Sequence, residues 1–166
     1  MNLYPKLVLI MLLSTLTMAA QNVSQTTALP YSSPQVPESV MFCGKKIDLT
    51  RFDRHERMDR ELLAFAYMHS TSVQTIKRAN RYFPIVEPIL KEHGIPDDFK
   101  YLMAIESNCS PLARSHVGAS GLWQFMLRTG KLYGLENNSL VDDRRDPVKS
   151  TWAAARHLKD LYNIYK

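Results

Sequence analysis

The 166 residues suffice for one domain, and 45% hydrophobic content is ordinary for a globular protein. A formal charge of +5 favours anionic polymers as partners, but no Lys/Arg stripe or recognised motif supports nucleic acid. His55, His69, His93, His116 and His157 are dispersed without ligand spacing, so neither a metal site nor a cofactor is predicted.

Residues 1–20 have a signal-peptide pattern: Lys6 as a positive n-region, Leu7 to Leu13 as a short apolar run, then small residues up to Ala20. The run is shorter than a membrane span. Export follows, with an uncleaved anchor as the alternative. Residues 21–40 are rich in Ser, Thr, Gln and Pro and read as a flexible linker.

Residues 41–94 read as a helical support region. Met58, Leu62, Phe65 and Ala66 make an apolar stripe over His55–His69. A second helix runs over Val73–Phe83, with Val73, Ile76 and Phe83 inward, and Pro84 is expected to end it. A third, Ile85–His93, is closed by Gly94. Arg78 and Arg81 read as a solvated face.

Asp97 to Ser107 reads as one short helix that cannot pass Pro111. Phe99, Leu102 and Met103 share an apolar face, and one more turn of it lands on Glu106. Desolvation and the negative end of the helix dipole would both disfavour a charge there, the setting of a general acid. A loop with Ser115, Gly118 and Gly121 then leads into Leu122-Trp123-Gln124-Phe125-Met126, where aromatic and amide groups sit side by side, a mixture that suits a sugar. This stretch is expected to be helical and to be broken by Gly130 and Gly134. Tyr133 fits either core or groove wall. Asp146-Pro147 starts a last helix, whose Val148, Trp152, Ala155, Leu158, Tyr162 and Tyr165 read as a core-facing stripe. The fold class is all-α.

The segments IPDDFKYLMAIESN, SHVGASGLWQFM, TGKLYGL and TWAAARHLKDLY, in that order, resemble the soluble lytic transglycosylase (SLT) family, nearest its membrane-bound type D branch. The resemblance covers about Ile95 to Tyr162. It implies a lysozyme-like architecture with a small β-like hairpin around Ser115 to Ser120. It implies Glu106 as the single catalytic acid, and Ser115, Gln124 and Met126 as substrate-binding residues; Tyr133, as a groove wall, is a further substrate-binding candidate. Residues 95–166 would form the catalytic domain, incomplete at its C-terminus, because an Ala-Tyr-Asn motif usual in the family is missing.

By the same resemblance, the partner is the glycan strand of peptidoglycan. Glu106 would protonate the oxygen between N-acetylmuramic acid and N-acetylglucosamine, then deprotonate the muramic C6 hydroxyl as it closes a 1,6-anhydro ring. A hydrolytic muramidase would need a second carboxylate, for which Asp142, Asp143 and Asp146 are the candidates; they read better as turn charges and a helix cap. A noncatalytic murein-binding or assembly protein is the other alternative. Peripheral association with the envelope membrane stays open, and no oligomeric state is implied. Cys43 and Cys109 could pair in an exported compartment, although two unpaired thiols fit better, and Cys109 lacks the neighbouring His of a nucleophile.

Overall fold

The computed structural model describes residues 34–165. The expectations for residues 1–20 and 21–33 therefore lie outside the described residues. Residues 39–48 are neither linker nor helix. They form an antiparallel hairpin, β1 (Ser39–Phe42) and β2 (Lys45–Asp48), with Val40 opposite Ile47. Its turn residues, Cys43 and Gly44, both have positive φ (47° and 74°), as a tight two-residue hairpin turn requires. The amide of Cys43 donates to Asp98 Oδ2 at 2.6 Å, which ties the hairpin to the start of the next region.

Helix α1 (Phe52–Tyr67) buries no residue. Met58, Leu62 and Ala66 of the expected stripe are half-buried and Phe65 is exposed. Helix α2 (His69–Glu92) replaces the two helices expected there, because Pro84 does not end it. Pro84 and Pro88 both stand on the solvent side, where water can satisfy the carbonyls that lose their N–H partners. Each proline costs about 3 kcal/mol in a helix interior. Burial of Val86, Ile89 and Leu90 on the opposite face, at roughly 2 kcal/mol each, offsets that cost. The inward face also lies one residue earlier than expected: Ser72 and Thr75 are buried, whereas Val73 and Ile76 are exposed.

The expected helix over 97–107 is divided. Asp97–Tyr101 is a 3-10 turn, and α3 (Leu102–Ser107) continues it. Lys100 fastens this junction, with Nζ 2.6 Å from Glu87 of α2 and 2.5 Å from Asp97. Burial opposes the charge on Lys100, but the two carboxylates outweigh it and raise its pKa. Asn108 and Cys109 adopt the left-handed conformation (φ 51° and 54°) and end α3 before Pro111 is reached. Their amides bond back to Ala104 and Met103.

Residues 110–126 form a compact loop with isolated bridges Arg114–Ser120 and Ser120–Phe125, in the region where a small β-like hairpin is expected. Helix α4 (Leu127–Leu132) begins only after Met126, so Leu122–Met126 is a turn, not a helix. Gly130 lies buried inside α4 and does not break it. After a 3-10 turn at Asp143–Arg145, helix α5 (Pro147–Tyr165) starts as the Asp-Pro pair predicts. Asp146 Oδ1 accepts from the amides of Val148 and Lys149, both at 2.8 Å. The buried face of α5 is Ser150, Thr151 and Ala153–Ala155. Val148, Trp152, Tyr162 and Tyr165 of the expected stripe are exposed. The small residues win because they let α5 approach α2 and the loop closely.

Two adjoining apolar clusters result. Val86, Leu90, Met103, Cys109, Leu122 and Ala155 form one, and Phe125, Leu135, Ala153 and Ala154 the other, with Trp123 packed against both. Arg144 joins the loop to this core. Its guanidinium is buried and donates to the carbonyls of Gly118 (2.9 Å) and Phe125 (3.1 Å). Gly121 (φ 85°) lies so close that an added Cβ would be 1.7 Å from the Arg144 carbonyl oxygen. Gly121→Ala is therefore expected to destabilise the protein by about 3 kcal/mol or more, read from urea unfolding. A loss under about 1 kcal/mol would show that the loop can move away from Arg144 at little cost.

Candidate active site

Glu106 does not occupy the core-facing position that its helical spacing suggests. That position belongs to Ser107, four residues after Met103, and the Glu106 side chain is exposed to solvent. The Ser107 hydroxyl lies 2.9 Å from the carbonyls of both Met103 and Leu122, pinning the end of α3 to the loop. The desolvation expected for Glu106 is thus absent. The carboxylate stands instead at the side of a groove of about 300 Å³.

Four parts of the chain line this groove, α4 contributing Thr129. Helix α3 supplies Leu102 and Glu106, the 123–126 segment supplies all four of its residues, and α5 supplies His157 and Leu161 among others. Glu106 is the sole carboxylate among its described lining residues. Trp123 is held by its indole N–H, which donates to Thr151 Oγ1 at 2.9 Å. Gln124 has a left-handed backbone (φ 49°), a conformation costing about 1–3 kcal/mol for a residue other than glycine. Its amide nitrogen donates to the carbonyls of Gly121 (2.8 Å) and Ala113 (3.3 Å), which holds the strained turn in place. Met126 is 44% exposed at the N-cap of α4, leaving its thioether side chain available to a ligand.

The other two residues proposed from sequence have different surroundings. Ser115 is not among the groove-lining residues; its Oγ accepts from the amide of Ala119 at 3.0 Å and closes the loop. Tyr133 also lies outside the lining, but its hydroxyl is 3.0 Å from Nδ1 of His157, which is in it. Burial, together with the bond to Asp160, raises the pKa of the Tyr133 phenol.

The three candidate second carboxylates have structural partners. Asp142 binds the Arg144 guanidinium through both oxygens, each at 2.8 Å. Asp143 is buried, accepting from Lys149 Nζ (2.8 Å) and the Glu136 amide (3.1 Å). Asp146 caps α5. Both cysteines are free, and burial pushes the Cys109 thiol pKa up, away from the reactive thiolate. Among the described residues, no group of three or more His, Cys, Asp or Glu could hold a metal ion.

The sequence reading overlooked Arg144, Thr151 and His157. Arg144 left a faint signal in the mixed-charge run Asp142-Asp143-Arg144-Arg145, since a buried arginine needs a nearby carboxylate. Nothing in the sequence distinguished His157 from the other four histidines.

A helical groove with one carboxylate and a Trp-Gln-Phe-Met wall defines a class. Residues 84–166, half of the chain, match the transglycosylase SLT domain, and the protein belongs to that family. Its mainly helical fold is of the lysozyme-like class. It is 31% identical over 121 residues to the membrane-bound lytic murein transglycosylase D of Escherichia coli (strain K12), over 72% of this chain and 26% of the relative. The match to the enzyme of the same name from Escherichia coli O6:H1 (strain CFT073) has the same identity and coverage. The chain thus spans about a quarter of the length of these curated relatives.

Asp142 gives the site region an acid-sensitive joint. Its bonds to Arg144 outweigh burial and draw its pKa down from the ordinary 3.8 to about 2. The folded state therefore gains stability above the unfolded value and loses it as pH falls from 3.8 toward 2. Arg144→Met is expected to cost about 3 kcal/mol at neutral pH and to flatten the fall of the unfolding midpoint over that acidic window. Parallel pH curves for wild type and variant would rule out this coupling.

Proposed function

We propose that this protein is a peptidoglycan lytic transglycosylase acting in the periplasm or cell envelope. What supports the reading is the groove's single described carboxylate, Glu106, in a chain of the SLT family. A hydrolase of the ordinary kind needs a second carboxylate across the scissile bond, and Asp142, Asp143 and Asp146 are engaged elsewhere. A transglycosylase needs only one.

In this reaction the Glu106 carboxyl gives its proton to the glycosidic oxygen between N-acetylmuramic acid and N-acetylglucosamine, and the C1–O bond breaks. The resulting carboxylate takes the proton of the muramic C6 hydroxyl as that oxygen bonds to C1. One 1,6-anhydro end and one free hydroxyl are formed, no water is consumed, and Glu106 regains its proton. Because the nucleophile is already part of the substrate, holding the sugar substitutes for positioning a water. Trp123 and Met126 offer apolar surface to the sugar faces. Gln124, whose amide N–H groups are both taken by backbone carbonyls, presents its amide oxygen to the sugar's hydroxyl and N–H donors. Ser115 contributes by maintaining the loop.

No helix among the described residues is long and apolar enough to cross a membrane; any membrane association would be peripheral within that part. The test is mass spectrometry of muropeptides released from purified murein by the full chain. Anhydro-ended products are expected from wild type, with the rate reduced about 10³-fold in Glu106→Gln, the scale of a lost general acid. Reducing ends would instead identify a hydrolytic muramidase. Murein binding without products would identify a noncatalytic binding protein.

A further inference from the structure

His157 is the groove residue with the most defined polar support behind it. The Tyr133 hydroxyl lies 3.0 Å from both Asp160 Oδ2 and His157 Nδ1. It has one proton, and a carboxylate can only accept, so that proton goes to Asp160. The Tyr133 oxygen must then accept from His157, which places a proton on Nδ1. In the neutral ring, Nε2 is left as a bare acceptor.

The ring is confined as well as polarised. Its centroid lies 5.0 Å from that of Tyr133 and 6.2 Å from that of Phe125. Arg156 also bonds the Tyr133 carbonyl, so α5 holds both ends of that residue. A histidine on a groove wall with its tautomer fixed from behind is suited to select a donor in front.

We propose that His157 is a positioning residue of the groove, whose Nε2 accepts a hydrogen bond from a hydroxyl or acetamido N–H of the bound sugar. Tyr133 and Asp160 act through it by setting the tautomer, and Tyr133 does not touch the sugar. This rests on the glycan-cleaving reading above, but it concerns binding and orientation, not proton transfer to the scissile bond. Glu106 remains the only acid and base.

Two measurements on the full chain test it. Long-range 15N NMR of the free protein should show His157 protonated on Nδ1, with Tyr133→Phe mixing the tautomers; an Nε2-protonated ring would overturn the proposal. The second uses glycan strands prepared by amidase digestion of murein. His157→Phe should weaken binding and raise KM about fivefold to tenfold, the scale of one hydrogen bond, with kcat within about twofold. His157→Gln, whose amide oxygen can replace Nε2, should recover most of the loss. Thermal melting checks that each variant is folded.

Unchanged binding in His157→Phe would overturn the positioning role and leave the transglycosylase reading intact. His157-dependent binding by a wild type that releases no anhydro products would support the positioning role and overturn the catalytic reading. A wild type that binds no strands would overturn both.

Discussion

The guanidinium of Arg144 is the interaction on which the rest of the site depends. It is buried, it neutralises Asp142, and it meets the carbonyls of Gly118 and Phe125, on either side of the turn carrying Trp123 and Gln124. A loop of this kind has few apolar side chains to bury and many backbone groups to satisfy. One arginine supplies a donor to the Gly118 carbonyl and a second donor to that of Phe125, which also accepts from the Ser120 amide. The lack of room beside Gly121 shows how closely the loop and the 143–145 turn meet.

With the loop anchored, its strain can be sustained. Gln124 is held in a left-handed turn by its own side chain, and the neighbouring indole is fixed to α5 through Thr151. The groove wall is therefore set before any ligand arrives, which lowers the ordering cost of binding. Glu106 differs. It projects from a helix end that is pinned through Ser107, but its own carboxylate is in solvent. The scaffold fixes where Glu106 is, while any desolvation of its carboxylate would have to come from a bound ligand.

Much of this was legible in the sequence because the relevant signals are local. The Asp146-Pro147 helix start, the turn-rich loop before Trp123 and the helical character of most of the chain follow from capping and periodicity. Other features depended on tertiary contacts. Pro84 sits within α2 because the apolar face beyond it is worth more than the lost hydrogen bond. Ser107, and not Glu106, turns inward because a small hydroxyl, with one proton to give to either of two core carbonyls, is less costly to bury than a carboxylate. The hairpin at 39–48 was missed because its turn uses Cys43 in place of the more usual Asn or Asp. Family resemblance, not periodicity, singled out Gln124 and Met126, and it could not show that Ser115 faces its own loop or that Tyr133 stands behind His157.

The small residues on the inner face of α5 have one more consequence. Ala154 is buried in the second apolar cluster and also forms part of the groove surface. A single methyl group there separates the protein interior from the ligand space. The depth of the groove is accordingly an adjustable dimension: a larger aliphatic side chain at this position would raise the floor without altering Glu106, the strained turn or the arginine anchor. The size of ligand that the groove admits and the groups that line its side are thus separable properties of this fold.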